Sequence, residues 1–372
     1  MKRIWFFLAS ALLMLSAAGS RDTIASLDRA MVHAVGIDRE DEGYTVTLQV
    51  FRPESSGTET QLDAGKANVF VITASAPTVG EAMTLCENRL GEFLFIGHGQ
   101  VIVLGEGVEP DDPRRLFAYF LSSKESYLGI HLACTEGKAS VLLSAELSEG
   151  AVAAQNLVNI IERHAENSSS VSCTLLDVLG CGECPAVLPL LRLTKTSDSS
   201  EGQDSESGSE PALTVSADGA EAFFRGGKQH LTPEECSVLA LFDGQERVNV
   251  LRVPTGRGDS AVTVRNGGLR KSVTKEGDRI LFSFEPETAV RNDQSLETLF
   301  DLAELEEYCR RELQGRCEAF ISRFYGDEKT DLLGLCTMVK SRYPQVWLDC
   351  GGDAERVLGL CEAGISVKCE IK

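Results

Sequence analysis

Apolar positions change their spacing several times along the chain, and each change marks an element. The stretch Ile24 to Val35 has helical spacing, and Gly36-Ile37-Asp38 leads from it into the acidic turn Arg39 to Gly43. Tyr44 to Val50 alternates with period two, the mark of a half-buried strand, and Val69 to Ala74 reads as its neighbour. Thr78 to Leu90 is helical, with Thr78 as N-cap and Glu81 three residues on. The apolar run from Phe93 breaks at Gly97-His98-Gly99 and resumes as the buried-strand run Val101 to Leu104. Asp112 to Leu121 reads as a helix with Pro113 in its first turn, Gly129 to Cys134 as a strand, and Lys138 to Leu143 and Val152 to His164 as helices.

Thr196 to Pro211 is almost entirely Ser, Gly, Asp, Glu and Gln, a composition that buries too little apolar surface to order itself and reads as a flexible tether. Beyond it, Leu213 to Val215 and Ala220 to Arg225 read as strands, with a turn at Gly226-Gly227. Thr232-Pro233-Glu234-Glu235 is a helix start: Thr as N-cap, Pro at the first position, acids at the positive end of the dipole. Val248 to Val253, Ser260 to Arg265, Gly268 to Val273 and Arg279 to Phe284 read as an antiparallel meander. Leu296 to Phe324 is a long amphipathic helix and Thr330 to Tyr343 a second, stopped by Tyr343-Pro344. Ala354 to Leu360 reads as a third helix, and Gly364 to Ile371 as a closing strand.

The N-terminus changes the picture most. Lys2 and Arg3 precede the apolar run Ile4 to Ala18, and small residues follow, the pattern of a secretory signal peptide. A helix over that run spans roughly 22 Å, short of the roughly 30 Å hydrocarbon core, which favours cleavage over a permanent anchor. The body of the protein is therefore expected outside the cytoplasm. The chain has 372 residues, enough for more than one core, and a formal charge of −20, which repels phosphate backbones and excludes a nucleic-acid partner. Export permits disulfides, but the pairing of the twelve cysteines is not readable from their spacing.

Candidate chemistry is thin. Cys181-Gly182-Glu183-Cys184, with Cys173 upstream, has metal or redox spacing, yet four ligands are wanted for a structural zinc, and Pro185 follows where a thioredoxin-like helix would begin. A local disulfide of Cys181 with Cys184, or idle thiols, is the expectation. His98, between two glycines, is either a ligand-binding residue or a hydrogen-bonded turn residue; the turn is favoured. There is no G-x-S-x-G elbow and no Walker-type loop, and Arg257-Gly258-Asp259 reads as a turn. No catalytic residue, metal or cofactor is assigned. Tyr343, Pro344 and Trp347 read either as a partner-binding patch or as packing at a helix end, with packing preferred.

In order along the chain, these elements resemble the Ger(x)C family, the lipoprotein-type third subunit of nutrient receptors that trigger germination of bacterial endospores. The resemblance rests on Gly36-Ile37-Asp38, the Tyr44 to Val50 strand, Thr78 to Ala82, Gly97-His98 through Gly105-Glu106, Val187 to Leu191 before a polar linker, Gly219 to Phe224, and Tyr343-Pro344 with Trp347. It implies a non-enzymatic protein of α+β or mixed α/β class, with three domains, each a mixed or antiparallel sheet with packed helices. It also implies a place on the outer face of the spore inner membrane beside integral-membrane A-type and B-type subunits. The family's lipidated cysteine is here Ser20, whose hydroxyl is a far poorer nucleophile, so lipid attachment by that route should fail. The expected organisation is a signal peptide at 1–19, an N-terminal unit at 20–195, a linker at 196–211, a β-rich middle at 212–294, and a C-terminal helical pair with closing strand at 295–372, packed on the middle. A secreted solute-binding protein with a deep inter-domain cleft is the rival reading; an exported hydrolase is a weaker one, for want of a convergent polar cluster.

Overall fold

The computed structural model describes residues 29–40, 43–51, 69–108, 116–122, 126–147, 150–180, 184–195, 213–224, 227–255, 258–291 and 301–372. The expectations for the signal peptide, Ser20, the tether 196–211, the start of the helix at Asp112 and the pairing of Cys181 lie outside these residues. The mixed α+β class expected from the sequence is the class observed, in two large mixed sheets and a short hairpin.

The first sheet is built around β1 (Arg29–Glu40), where the sequence pattern suggests helix. The correction has a physical reason. Ala, Met and His tolerate helix locally, but Ala30 and Val32 face one core with period two, Ala34 faces the other core after the Val32/Ala34 bulge, and a central strand position overrides weak propensity. β2 (Gly43–Phe51) pairs antiparallel with β1, and β3 (Val69–Ala76) antiparallel with β2. The helix α1 (Val79–Leu90) returns the chain to the start of β1, where β4 (Phe93–Phe95) and then β5 (Val101–Leu104) run parallel to it. After the short α2 (Ala118–Ser122), β6 (His131–Thr135) adds parallel to β5. The helices α3 (Ala139–Leu143) and α4 (Ala154–Glu166) flank the hairpin β7 (Glu146–Leu147) and β8 (Gly150–Ala151). Then come α5 (Leu175–Gly180), β9 (Ala186–Lys195), β10 (Leu213–Phe224) and β11 (Gly227–Leu231). The sheet order is β11-β10-β9-β6-β5-β1-β2-β3, with β4 beside β1. Residues 213–231 therefore lengthen the first sheet rather than begin the second.

β2 is buried on both faces, not one. Val46, Leu48 and Val50 face the core under α1, while Thr45, Thr47 and Gln49 point to the α3 side and are buried with hydrogen bonds. The polar half of the alternation was a hydrogen-bonded seam, not a wet surface.

The second sheet is the expected meander, with two of its strands fused. β12 (Val248–Thr255), β13 (Gly258–Glu276) and β14 (Arg279–Val290) are antiparallel; β13 runs unbroken through a bulge at Asn266/Gly268. The closing segment makes two short strands, β15 (Cys361–Ile365) and β16 (Lys368–Ile371), both parallel to β14. Between the sheets lies α6 (Pro233–Asp243), with the capping box of Thr232 and Glu235 expected from its sequence. The long helix α7 (Leu302–Ile321), capped by Asp301, lays Leu305, Cys309, Leu313, Cys317 and Phe320 against the second sheet and ends in a π-turn, Ser322–Asp327. The helices α8 (Leu335–Arg342), α9 (Pro344–Asp349) and α10 (Ala354–Leu358) complete the C-terminal core around Phe282, Phe284 and Phe324.

Arg323 joins the two sheets' elements. It donates to Glu235 of the α6 capping box (2.5 Å), to Glu328 (2.9 Å) and to the His230 carbonyl of β11 (3.1 Å). Thr232→Ala should cost about 1 kcal/mol by removing the cap alone. Arg323→Ala should cost more, because it also leaves Glu235 and Glu328 without their guanidinium; urea melts of the two variants measure the difference.

Candidate functional site

Three of the family-like segments, Gly36-Ile37-Asp38, the Tyr44 to Val50 strand and Gly105-Glu106, converge on one small helix. β1 carries Asp38, which is 1% exposed, at the carboxyl end of the parallel strands. Its Oδ1 accepts from Ala139 N–H (2.7 Å) and its Oδ2 from Ser140 N–H (3.1 Å), the first two amides of α3. A buried carboxylate is costly unless hydrogen-bonded, and helix-start amides carry orphan donors and a positive partial charge, so the two needs cancel. Lys138, the residue at the cap position itself, offers no side-chain cap. At the other end of the same helix, Gln49 Nε2 donates to the Leu143 carbonyl (2.8 Å) and to the Val152 carbonyl beyond it (2.7 Å). Two strands thus clamp a five-residue helix that is too short to hold itself.

Two glycines make room for the clamp. A Cβ on Gly105 would stand 1.8 Å from Asp38 Oδ1 and 2.5 Å from the Ala139 nitrogen, an impossible overlap. A Cβ on Gly36 would press within 3.0 Å of Leu143 and 3.1 Å of Ala139. Backbone bonds close the frame: Gly105 N–H to Ile37 O (2.8 Å), Glu106 N–H to Gly137 O (2.9 Å) and Arg39 N–H to Glu106 O (3.1 Å). Gly36-Ile37-Asp38 and the Gly105-Glu106 end of the Gly97–Glu106 segment are therefore two halves of one structural device. In open α/β sheets, the carboxyl ends of parallel strands are where ligand crevices form. Here that position is filled by the chain's own helix and its own carboxylate.

The C-terminal core repeats the device. Asp331, 7% exposed, accepts from Leu335 N–H (2.8 Å) and Cys336 N–H (2.7 Å) at the start of α8. Tyr325 in the π-turn donates its hydroxyl to Asp331 (3.1 Å) and accepts from Leu333 N–H (2.6 Å). Burial first, then the Asp331 charge, pushes the Tyr325 phenol well above its ordinary range, so it remains a donor. This explains why the helix expected from Thr330 starts only at Leu335: the preceding residues loop so that Asp331 reaches forward to the helix amides.

Gly97 and His98 occupy the middle of a turn closed by Gly99 N–H to Ile96 O (2.7 Å). His98 is exposed and meets Phe95 edge-on at 5.3 Å. Tyr343 sits at the joint of α8 and α9, with its hydroxyl on the Val273 carbonyl (3.4 Å), and Pro344 opens α9. Trp347 is buried at the edge of the core with Lys340 over its ring at 5.2 Å, while its neighbour Leu348 is two-thirds exposed (66%).

Two family models match this chain in order. The spore germination protein N-terminal domain covers residues 26–193, and the spore germination B3/GerAC-like C-terminal domain covers residues 218–372. The chain belongs to the GerAC-like spore germination protein family. Among solved structures, the crystal structure of the GerBC protein has a similar fold, with a TM-score of 0.52 at 16% identity over 91% of this chain and 96% of that one. A search of the curated proteins found no match.

In this chain Gly36-Ile37-Asp38 and Gly105-Glu106 serve to position a helix. Sequence reasoning singled out Asp38 but not Gln49 or Asp331, and it did not foresee that Asp38 would cap a helix 101 residues away. Of the cysteine constellation, Cys181 lies outside the described residues. Cys173 is buried in the first core with its thiol toward the Thr174 carbonyl (3.6 Å), whereas Cys184 lies near the Thr337 hydroxyl of α8 (3.9 Å). A groove of about 340 Å³ lies between the start of β9 with the segment before it and the C-terminal part of α6, and is lined in part by Ser172, Asp177, Asp243 and Arg247.

Asp38→Ala should destabilise the purified chain by about 2–3 kcal/mol, because two buried amides lose their acceptor. Gly105→Ala should cost at least about 3 kcal/mol through overlap. In the double variant the combined loss should be less than the sum of the two, since removing the carboxylate relieves the closer of the two overlaps and leaves that with the Ala139 nitrogen. A double-mutant cycle by urea denaturation reads this directly; strict additivity would mean that the two residues do not share one device.

Proposed function

We propose that this protein is the extracytoplasmic C-type subunit of a nutrient germinant receptor, working in assembly and signal relay without chemistry. The observation that carries the reading is the ordered match of both germination-protein models across the two halves of the chain. The geometry supports it in a second way. The crevice position at the strand ends is occupied by Asp38 and α3, and both buried aspartates are fully engaged with backbone amides, which leaves neither as a general acid or base.

Its partners would be the integral-membrane A-type and B-type subunits, at the outer face of the spore inner membrane. No helix among the described residues is long and apolar enough to cross a membrane. With Ser20 in place of the lipidated cysteine, retention falls to the partner subunits or to an uncleaved N-terminal helix. The exposed residues beside the family motifs, His98 and Leu348, are the natural partner contacts, because their neighbours in the motifs are already committed to the core.

The solute-binding reading has one observation in its favour, the groove beside α6, whose volume lies at the small end of ligand pockets. Two experiments separate the readings. Spores lacking this chain should lose nutrient-triggered germination, and the purified chain should keep its melting temperature across a panel of amino acids, sugars and nucleosides. Normal germination of the deletion strain, together with a melting shift of several degrees by one nutrient, would reverse the assignment.

A further inference from the structure

The helix α7 and the closing strand β16 are clasped at two levels. Gln314 donates from Nε2 to the Ile365 carbonyl (2.9 Å) and accepts at Oε1 from Val367 N–H (3.0 Å). Two turns nearer the helix start, Glu306 Oε2 accepts from Ile371 N–H (3.4 Å). The helix therefore runs antiparallel to the strand, and the residues between the clasps are brought face to face. They are Cys309 on α7 and Cys369 on β16, 0% and 5% exposed, on the helix and strand faces that the two clasps hold together.

This pair differs from Cys86, Cys236 and Cys317, whose thiols burial pushes up to about 11, 12 and 12 and renders inert. In the pair, the hydrogen bond from Cys309 lowers the Cys369 thiol, helped by the Thr288 hydroxyl, and the same bond raises Cys309.

We propose that Cys309 and Cys369 form a disulfide in the exported protein, fastening β16 to α7. The oxidant is an exported dithiol oxidase in its disulfide form. The Cys369 thiolate attacks one donor sulfur, and the other donor sulfur leaves as a thiolate. Cys309 then gives up its proton and attacks the mixed disulfide at the Cys369 sulfur, releasing the donor as a dithiol. Two electrons and two protons pass from the pair to the donor. Buried thiols meet the oxidant while β16 is undocked; it is a four-residue strand paired with β14 alone. The bond would close a loop of some sixty residues that contains α8, α9 and α10.

The proposal rests on the exported location, so the pairing is tested where location plays no part. The purified chain is equilibrated in glutathione redox buffer, alkylated without reduction, digested and analysed by mass spectrometry. The expected result is a Cys309–Cys369 linked peptide and a fall in Tm of roughly 5–10 °C on adding dithiothreitol. That fall should vanish in Cys309→Ala and Cys369→Ala. Native protein from spores should carry the same linked peptide. Separate alkylation of Cys309 and Cys369, or a link from either to another cysteine, overturns the proposal, and the wild-type peptide map decides even if the variants fold poorly.

Discussion

A buried carboxylate must be met by donors, and in this protein the donors are the opening amides of a short helix. Asp38 meets α3 in this way and Asp331 meets α8. Most of what is particular about the fold follows from that pairing. The partner strands must approach the helix closely, which puts glycine at 36 and 105. The far end of α3 must be held as well, which puts Gln49 on the polar side of β2. The strand β2 is consequently buried on both faces. The clamp also fills the place in an α/β sheet where a ligand would otherwise lie.

The same logic accounts for what was legible in the sequence and what was not. Devices written within a few residues were readable: the Thr78 and Thr232 caps, the 248–284 meander, the stop at Tyr343-Pro344. Devices that depend on distant partners were not. β1 looked helical because its alternation is carried by small and helix-tolerant residues, and only its neighbours β2 and β5 settle it as a strand. The helix α5 and the strand β9 were not anticipated; α5 is a single short turn and β9 reads as an apolar run broken by Pro189. The Gly36-Ile37-Asp38 triplet was recognised as a family mark, but its reason lies in Ala139 and Ser140, far along the chain. The Cys309 and Cys369 neighbours were likewise invisible, because their meeting depends on the register of α7 against β16.

In this chain Asp38, Gly36, Gly105 and Asp331 serve to hold helices in place. Rigid clamps in each half keep the two sheets' surfaces in fixed form, and Arg323 ties the last strand of the first sheet to the long helix of the second. The charge of −20 disfavours binding to anionic lipid by electrostatics alone.

The most direct test is affinity capture of the full protein from detergent-dissolved spore inner membranes, wild type beside Asp38→Ala, with mass spectrometry of what comes with it. The account predicts two integral-membrane subunits with the wild type and their loss with the variant, whose first unit no longer holds α3. A wild-type protein that comes away alone, or a variant that keeps both partners at the wild-type level, would contradict it.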